Sequence, residues 1–196
     1  MAKVREIVKI PNKVLRKEAR EVPPKEIISP KIGRLILEMK ETLKNTPDGV
    51  GLAASQVGES LRIFIVSEEA EEIDKAERAG WKRRKKEDPA VKMKKPYEER
   101  GWKYYVFINP VVKNISKKKL EGQEGCLSVP GKFGSVKRHE KITVEAHGET
   151  GKKFTRGASR FFARVIQHEL DHLEGTLFID KASGLIETPK DEKSKS

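Results

Sequence analysis

Residues 161–175 read Phe-Phe-Ala-Arg-Val-Ile-Gln-His-Glu-Leu-Asp-His-Leu-Glu-Gly and contain the pattern H-E-x-x-H. Residues four apart lie on one face of a helix, so His168 and His172 can bind one metal ion while Glu169 handles a proton beside them. Gly175 is placed to end such a helix. The stretch therefore predicts a metal-binding helix, although a catalytic metal site usually needs a third protein ligand and an open position.

The composition limits the class of protein. The chain has 196 residues, which suits one domain, and its net charge is +12 with 37% charged residues. No apolar run approaches the length of about 18 residues that a membrane span needs, and the N-terminus resembles neither a signal peptide nor a transit peptide. The single cysteine, Cys126, suits a reducing compartment. We therefore expect a cytoplasmic protein without a membrane partner.

Hydrophobic periodicity predicts an α+β fold in one domain, with mixed or antiparallel strands packed around the central metal-binding helix and with an N-terminal helix. The N-terminal helix is expected at residues 30–45, after Ser29-Pro30. Strands are expected at 62–66, 104–108 and 141–146, with a turn at Asn109-Pro110 and a continuing strand at 111–115. A short edge strand is expected at 4–10, a helical turn at Val14-Leu15, and an extended glycine-flanked loop at 120–131.

Two segments differ in composition from the rest of the chain. Residues 67–103 are mostly acidic at their start and basic later, which predicts a long insertion between two strands with a helical beginning. A solvated excursion is the favoured interpretation of that insertion, and a contact with RNA is the alternative. Residues 187–196 are polar and predict a disordered tail, so the catalytic domain is expected at 1–186.

The third metal ligand decides between several kinds of site. One class of zinc protease has a third histidine six residues after the second, but that position is Phe178 here. Another class takes a later glutamate, and Glu187 lies in a polar tail that would support it poorly. Cys126 is the better candidate because a thiolate and two imidazoles leave one coordination position for water. This donor set suits Fe(II), Co(II), Ni(II) or Zn(II).

Three stretches, taken together, resemble a known family: 49–56 (Gly-Val-Gly-Leu-Ala-Ala-Ser-Gln), 124–128 (Glu-Gly-Cys-Leu-Ser) and 167–172 (Gln-His-Glu-Leu-Asp-His). They are similar, in order, to the three signature motifs of the peptide deformylases. The resemblance implies an α+β metallohydrolase that removes the formyl group from N-formylmethionyl chains as they leave the ribosome. It also implies one divalent metal ion, typically ferrous iron, with zinc forms usually less active.

The resemblance carries roles to individual residues of this chain. It implies metal ligands Cys126, His168 and His172, and Glu169 as the general base and then acid. The Gln56 side-chain amide and the Leu127 backbone N–H are expected to stabilise the oxyanion. The methionine side chain needs an apolar pocket, for which Phe161 and Val165 are the expected lining, and the backbone at Gly49, Val50 and Gly51 could pair with an extended substrate.

Two other functions stay open at the level of sequence: an H-E-x-x-H zinc endopeptidase, and a basic ribosome- or RNA-binding protein with a structural metal. The missing third ligand argues against the first, and a site of only three credible ligands argues against the second. We expect no long C-terminal helix of the kind with which some deformylases dock on the ribosome, so the basic stretch from Lys82 to Lys95 is a candidate contact to ribosomal RNA. We expect a monomer.

Overall fold

The computed structural model describes residues 2–47, 49–83, 101 and 103–187. It contains three α-helices, α1 (Pro30–Lys44), α2 (Glu68–Arg83) and α3 (Arg160–Leu173). It contains eight strands: β1 (Gly51–Ala53), β2 (Ile63–Ser67), β3 (Tyr104–Ile115), β4 (Lys119–Cys126), β5 (Val129–His139), β6 (Lys141–His147), β7 (Lys153–Ser159) and β8 (Ser183–Glu187). Short 3-10 turns lie at Lys13–Arg16, Pro24–Glu26, Ala54–Val57 and Phe178–Asp180. No helix among the described residues is long and apolar enough to cross a membrane.

The strands form two antiparallel sheets, one of five strands in the order β1-β2-β3-β6-β7 and one of three in the order β4-β5-β8. The α+β prediction is thereby confirmed, with every strand pair antiparallel. In the three-stranded sheet, β4 and β5 form a hairpin whose register closes at Cys126 opposite Val129.

Helices α1 and α3 cover opposite faces of the five-stranded sheet. Strand β2 shows why, because all of its residues are buried and successive side chains point to opposite faces. Ile63 and Ile65 pack with the apolar stripe of α1, whereas Phe64 and Val66 pack with α3. Helix α3 thus packs on one face of a sheet whose opposite face is covered by α1.

A third apolar cluster supports the sheet that carries the cysteine. It consists of Leu15, Val129, Val136, Leu177 and Phe178, and Cys126 packs against it. Leu15 lies on the helical turn predicted at the N-terminus, so that prediction is confirmed. The cluster holds the β4–β5 hairpin close to the segment that follows α3.

The main elements lie where the periodicity predicted them. Helix α1 begins at Pro30, and the Ser29 hydroxyl caps it by accepting a hydrogen bond from the Ile32 N–H at 3.3 Å. Strands β2, β3 and β6 confirm the strands predicted at 62–66, 104–108 and 141–146.

Two of the predictions near these elements are wrong. Residues 4–10 form no strand: Val8 and Ile10 donate single hydrogen bonds to the carbonyls of Gln56 and Ser128, so the segment follows the body without a continuous ladder. Asn109-Pro110 forms no turn between two strands, because a register shift between Ile108 and Val111 absorbs both residues within β3. The strand predicted at 111–115 is confirmed as the second part of β3.

The prediction of an extended loop at 120–131 is also wrong. Its residues form most of β4, the turn at Leu127-Ser128 and the beginning of β5. Its glycines weaken the strand pattern, but backbone hydrogen bonds with β5 and the apolar cluster behind it override that local preference. The chain also contains β7 and β8, which the sequence pattern did not reveal.

The insertion begins as predicted and then differs. Its acidic start is helical, as α2, which confirms that expectation. The interpretation as a solvated excursion is wrong for this part, because Ala70, Glu69 and Asp74 are buried against the body. The tail predicted at 187–196 is wrong for its first residue, because Glu187 ends β8. The rest of that tail and residues 84–100 lie outside the described residues.

Candidate metal centre and catalytic site

Three side chains that the sequence predicted as metal ligands lie together between α3 and the β4–β5 hairpin. One donor atom from each of Cys126, His168 and His172 falls within 4.8 Å of the others. The Cys126 Sγ atom is 3.2 Å from His172 Nε2. The two histidines come from adjacent turns of α3, and the cysteine is the last residue of β4.

The tautomer of His168 is set by Glu124. His168 Nδ1 lies 3.0 Å from Glu124 Oε2, which leaves Nε2 to face the donor cluster. Glu124 is two residues before Cys126 on β4, so the cysteine and the carboxylate that orients the histidine share one strand face.

Two buried arginines balance the charge of Glu124. Arg138 donates to both carboxylate oxygens at 2.8 Å, and Arg164 donates to Oε1 at 2.9 Å. Burial by itself would raise the pKa of Glu124, but hydrogen bonds from Arg138 and His168 outweigh it and hold that pKa well below its usual range. Glu124 is therefore an anion within a network that joins the hairpin to the metal helix.

The same arginines connect the backbone around the site. Arg164 also donates to the carbonyls of Leu120, Gly122 and Val136. Arg138 extends to Asp171 on α3, which in turn accepts from Lys181. The position of Cys126 relative to the histidines is thus fixed by hydrogen bonds as well as by apolar packing.

Glu169 lies on the inner side of α3, facing β1. It is 3% exposed, and within the described residues its Oε2 atom has no hydrogen-bond partner. A Cβ atom added to Gly51 would lie 2.9 Å from Glu169 Cδ and 3.1 Å from Val165 Cγ1, so any other residue there would displace the Glu169 side chain or the strand. Burial raises the pKa of Glu169 to about 7.

Gln56 reaches the donor cluster from the other side. Its Oε1 accepts from the Ala53 N–H at 2.8 Å, and this bond turns Nε2 toward the Cys126 Sγ (3.5 Å) and the Ser128 Oγ (3.3 Å). Leu127, the other residue expected to serve the oxyanion, is half-buried in the turn between β4 and β5. Both residues border the cysteine.

The residues predicted to bind substrate divide into a strand and a helix face. Gly51 begins β1, and Val50, half-buried, accepts from the Ser67 N–H. Gly49 comes directly before them. Phe161 and Val165 lie one turn apart on α3, and Val165 is in contact range of Gly51. Within the described residues β1 pairs only with β2, so its other edge has no strand beside it.

The two other positions considered for a third ligand, Phe178 and Glu187, lie outside the donor cluster. Phe178 is buried, and its ring stacks on that of His168 with the ring centroids 6.3 Å apart. Glu187 ends β8 and forms an ion pair with Lys132 at 2.7 Å, with its side chain 70% exposed. Neither belongs to the donor cluster.

Sequence reasoning missed the roles of Glu124, Arg138 and Arg164. Two of them had a usable signal: Glu124 lies two residues before the cysteine on a strand, and Arg164 lies four before His168 on a helix. Both spacings place a side chain on the same face as a ligand. Arg138 had none, because it reaches Glu124 through the register of β5 with β4.

A family model described as polypeptide deformylase matches residues 4–187. Among curated proteins, the chain is 36% identical over 178 residues to a peptide deformylase of Desulforudis audaxviator, and the match covers 91% of this chain and 93% of that protein. It is 39% identical over 176 residues to peptide deformylase 1A, chloroplastic/mitochondrial, of Arabidopsis thaliana. That match covers 90% of this chain and spans only 60% of the plant relative.

Solved structures share the fold. The chain superposes with a TM-score of 0.71 and 30% identity on a class I type b peptide deformylase of Acinetobacter baumannii bound to Met-Ala-Ser, over 92% of this chain and 99% of that one. A peptide deformylase of Ehrlichia chaffeensis gives a TM-score of 0.71 and 33% identity over 93% and 89%. Because the family model covers nearly the whole chain and its three motifs converge on one donor cluster, the chain belongs to the polypeptide deformylase family.

Proposed function

We propose that this protein hydrolyses the formyl amide of N-formylmethionyl peptides and releases formate. The observation that supports this most strongly is the placement of a buried carboxylate, Glu169, next to a donor cluster of one thiol and two imidazoles. Membership of the deformylase family and the expected oxyanion donor Gln56 point to the same chemistry.

The donor set fits a single divalent metal ion. Cys126, His168 and His172 would hold the ion with one sulfur and two nitrogen donors, and a set of three protein ligands would leave a position for water, as catalytic sites require. Soft thiolate with imidazole suits iron, cobalt, nickel or zinc, and we assign ferrous iron as the working metal by resemblance to the family. When bound, the ion supplies Lewis acidity that acidifies water and polarises a carbonyl.

Glu169 transfers the proton in this proposal. Its carboxylate takes a proton from the attacking water and delivers it to the amine that leaves. Its burial against Gly51 excludes bulk water from that exchange. Within the described residues Oε2 has no hydrogen-bond partner, so this oxygen can accept the proton.

Gln56 and Leu127 stabilise the charge that develops on the formyl oxygen. The Gln56 Nε2 group is already directed at the cluster by the bond between its Oε1 and Ala53. The Leu127 N–H lies in the turn immediately after Cys126. A lost donor of this kind costs about 3 kcal/mol in the barrier.

The substrate binds as an extra strand along the edge of β1 that has no partner strand in the described part of the chain. The backbone of Gly49, Val50 and Gly51 supplies hydrogen-bonding groups, and the absence of a side chain at Gly51 lets a chain approach Glu169. Phe161 and Val165 form the apolar pocket for methionine. The Met-Ala-Ser peptide bound to the Acinetobacter relative supports this class of ligand.

One assay tests the proposal: formate release from a formyl-Met peptide by protein loaded with iron without oxygen. Glu169→Ala should abolish the activity and retain the metal, whereas Cys126→Ser should lose metal. Glu174→Ala is the matched control, because Glu174 lies at the C-terminal end of the same helix and its side chain, 51% exposed, forms a surface ion pair with Arg62. An iron-loaded wild type that releases no formate but cuts internal peptide bonds would instead establish an endopeptidase.

A further inference from the structure

The N-terminal end of helix α3 contacts α2, the first helix of the insertion. Its first turn contains no acidic residue, although anions stabilise the N-terminus of a helix. Asp74 of α2, 87 positions earlier in the chain, accepts a hydrogen bond from the Phe161 N–H at 3.2 Å. The Asp74 side chain is buried, with 3% exposure. The Asp74 carboxylate of α2 therefore supplies the anion at the N-terminus of α3 that the sequence of α3 itself does not contain.

Other contacts on the same face hold Asp74 in place. Ala70, one turn earlier on α2, is fully buried in the core cluster that contains Phe162 and Ala163 of α3. Glu71, three residues before Asp74, accepts from the Tyr105 hydroxyl at 2.6 Å and from Arg156 Nη2 at 2.7 Å. These bonds join α2 to β3 and β7, so the position of Asp74 relative to the sheet is fixed.

The hydrogen bond to Asp74 helps to fix the position of Phe161. Phe161 is the second residue of α3 and precedes Val165 by one turn, and Arg160 before it has a φ of +49°, which a non-glycine residue adopts only when its surroundings impose it. Helix ends fray unless their backbone groups have partners. The Asp74 bond is such a partner for the residue that carries the aromatic ring.

We propose that Asp74 is a positioning residue that sets the place of Phe161 in the pocket for the methionine side chain. The insertion thereby takes part in substrate selection through its first helix. This inference rests on the proposed function, since it concerns the pocket of that reaction. It goes beyond the family motifs, because Asp74 lies in none of them.

Selectivity between two substrates tests the inference. The ratio of kcat/KM for a formyl-Met peptide to kcat/KM for a formyl-Ala peptide is independent of the amount of folded enzyme, so a general loss of stability does not change it. We expect Asp74→Ala to lower this ratio about three- to tenfold, mainly through KM for the Met peptide. Asp74→Asn keeps an acceptor oxygen and should keep the ratio within about twofold of the wild type.

A second measurement does not depend on activity. Amide hydrogen exchange should be faster in Asp74→Ala at 161–165, while 168–173 keeps its protection. If the Ala variant does not fold, Asp74→Ser, whose hydroxyl is too short to reach the Phe161 N–H, replaces it. Unchanged selectivity and unchanged exchange would overturn the inference. A wild type without deformylase activity would instead refute the proposed function, and the exchange result would still decide whether Asp74 holds the helix end.

Discussion

Glu124 balances two arginines and one histidine beside the donor cluster. Glu124→Gln would leave Arg138 and Arg164 without their anion and weaken the bond that orients His168. We expect metal affinity to fall about 10- to 100-fold and the free energy of unfolding to fall by about 3 kcal/mol. Competition with a chelator and urea unfolding of the metal-free protein measure the two effects separately.

The matched control for this substitution is Glu121→Gln. Glu121 lies on the same strand but is exposed and bonds only Ser135 among the contacts described. It should change the free energy of unfolding by no more than about 0.5 kcal/mol and leave metal affinity unchanged. Equal effects of the two substitutions would show that charge on β4, and not the buried network, determines metal binding.

Gly51 fits closely beneath Glu169. In Gly51→Ala the added methyl group would lie 2.9 Å from Glu169 Cδ, so the carboxylate or the strand must move. We expect kcat/KM for a formyl-Met peptide to fall by about 100-fold, because a displacement of about 1 Å at a reacting group has this effect. Metal content should stay that of the wild type.

Gly33→Ala is the control because nothing lies within 4 Å of an added Cβ there. Gly33 is on the exposed side of α1, where alanine should raise the free energy of unfolding by about 1 kcal/mol and leave activity unchanged. Wild-type activity of the Gly51 variant would mean that Glu169 is not held against β1 as described.

At the residue scale, the sequence predicted side chains whose chemistry is visible in a local pattern. His168 and His172 are four apart on one helix, and Cys126 is the single thiol. Partners that meet only through strand register have no such pattern. Arg138 reaches Glu124 from 14 residues away because β5 folds back on β4, and no spacing rule contains that information.

At the scale of elements, the titratable side chain of Glu71 holds α2 against the five-stranded sheet. The hydrogen bond from Tyr105 and the charge of Arg156 lower the pKa of Glu71 from its ordinary value of 4.5. Because the folded state favours the anion, this contribution to stability is present above the ordinary pKa and is lost as the pH falls through the lowered one. Acid should therefore loosen α2.

Glu71→Gln tests this pH dependence. The wild type should lose free energy of unfolding more steeply than the variant as the pH falls below the ordinary pKa of 4.5, with a difference of about 1 kcal/mol at neutral pH. Urea unfolding at a series of pH values measures it. Glu72→Gln is the control, since Glu72 is exposed and pairs only with Lys75 within its helix among the described contacts, a pair of small effect. Parallel pH curves for the wild type and Glu71→Gln would contradict the argument.

Elements with strong periodicity were predictable, and those formed by backbone pairing were not. Helix α1 has its cap and apolar stripe in sequence, and β2 is an unbroken apolar run. The β4–β5 hairpin contains glycines and charged residues, and it becomes a strand pair through the register that closes at Cys126. Tertiary pairing, which local sequence does not encode, decides such segments.

At the scale of the whole molecule, the basic insertion has two parts that must be separated in any experiment. Its first helix belongs to the body, because Ala70 and Asp74 are buried there. A deletion that starts at residue 68 would remove the Asp74 contact with α3 and confuse a docking effect with a catalytic one. The part that can test contact with ribosomal RNA is the later basic stretch, of which residues 84–95 lie outside the described residues.

We therefore expect that replacing residues 84–95 with a neutral linker of equal length weakens co-sedimentation with ribosomes and leaves turnover of a short formyl-Met peptide unchanged. The net charge of the protein is +12, and each lysine or arginine that neutralises a phosphate makes binding more sensitive to salt. The salt dependence of co-sedimentation should thus be shallower for the variant. The control for general positive charge changes two exposed lysines to Gln, Lys117 in the β3–β4 turn and Lys119 at the beginning of β4. If that control weakens binding as much as the replacement does, the insertion has no particular role, and co-sedimentation reports the overall charge of the protein.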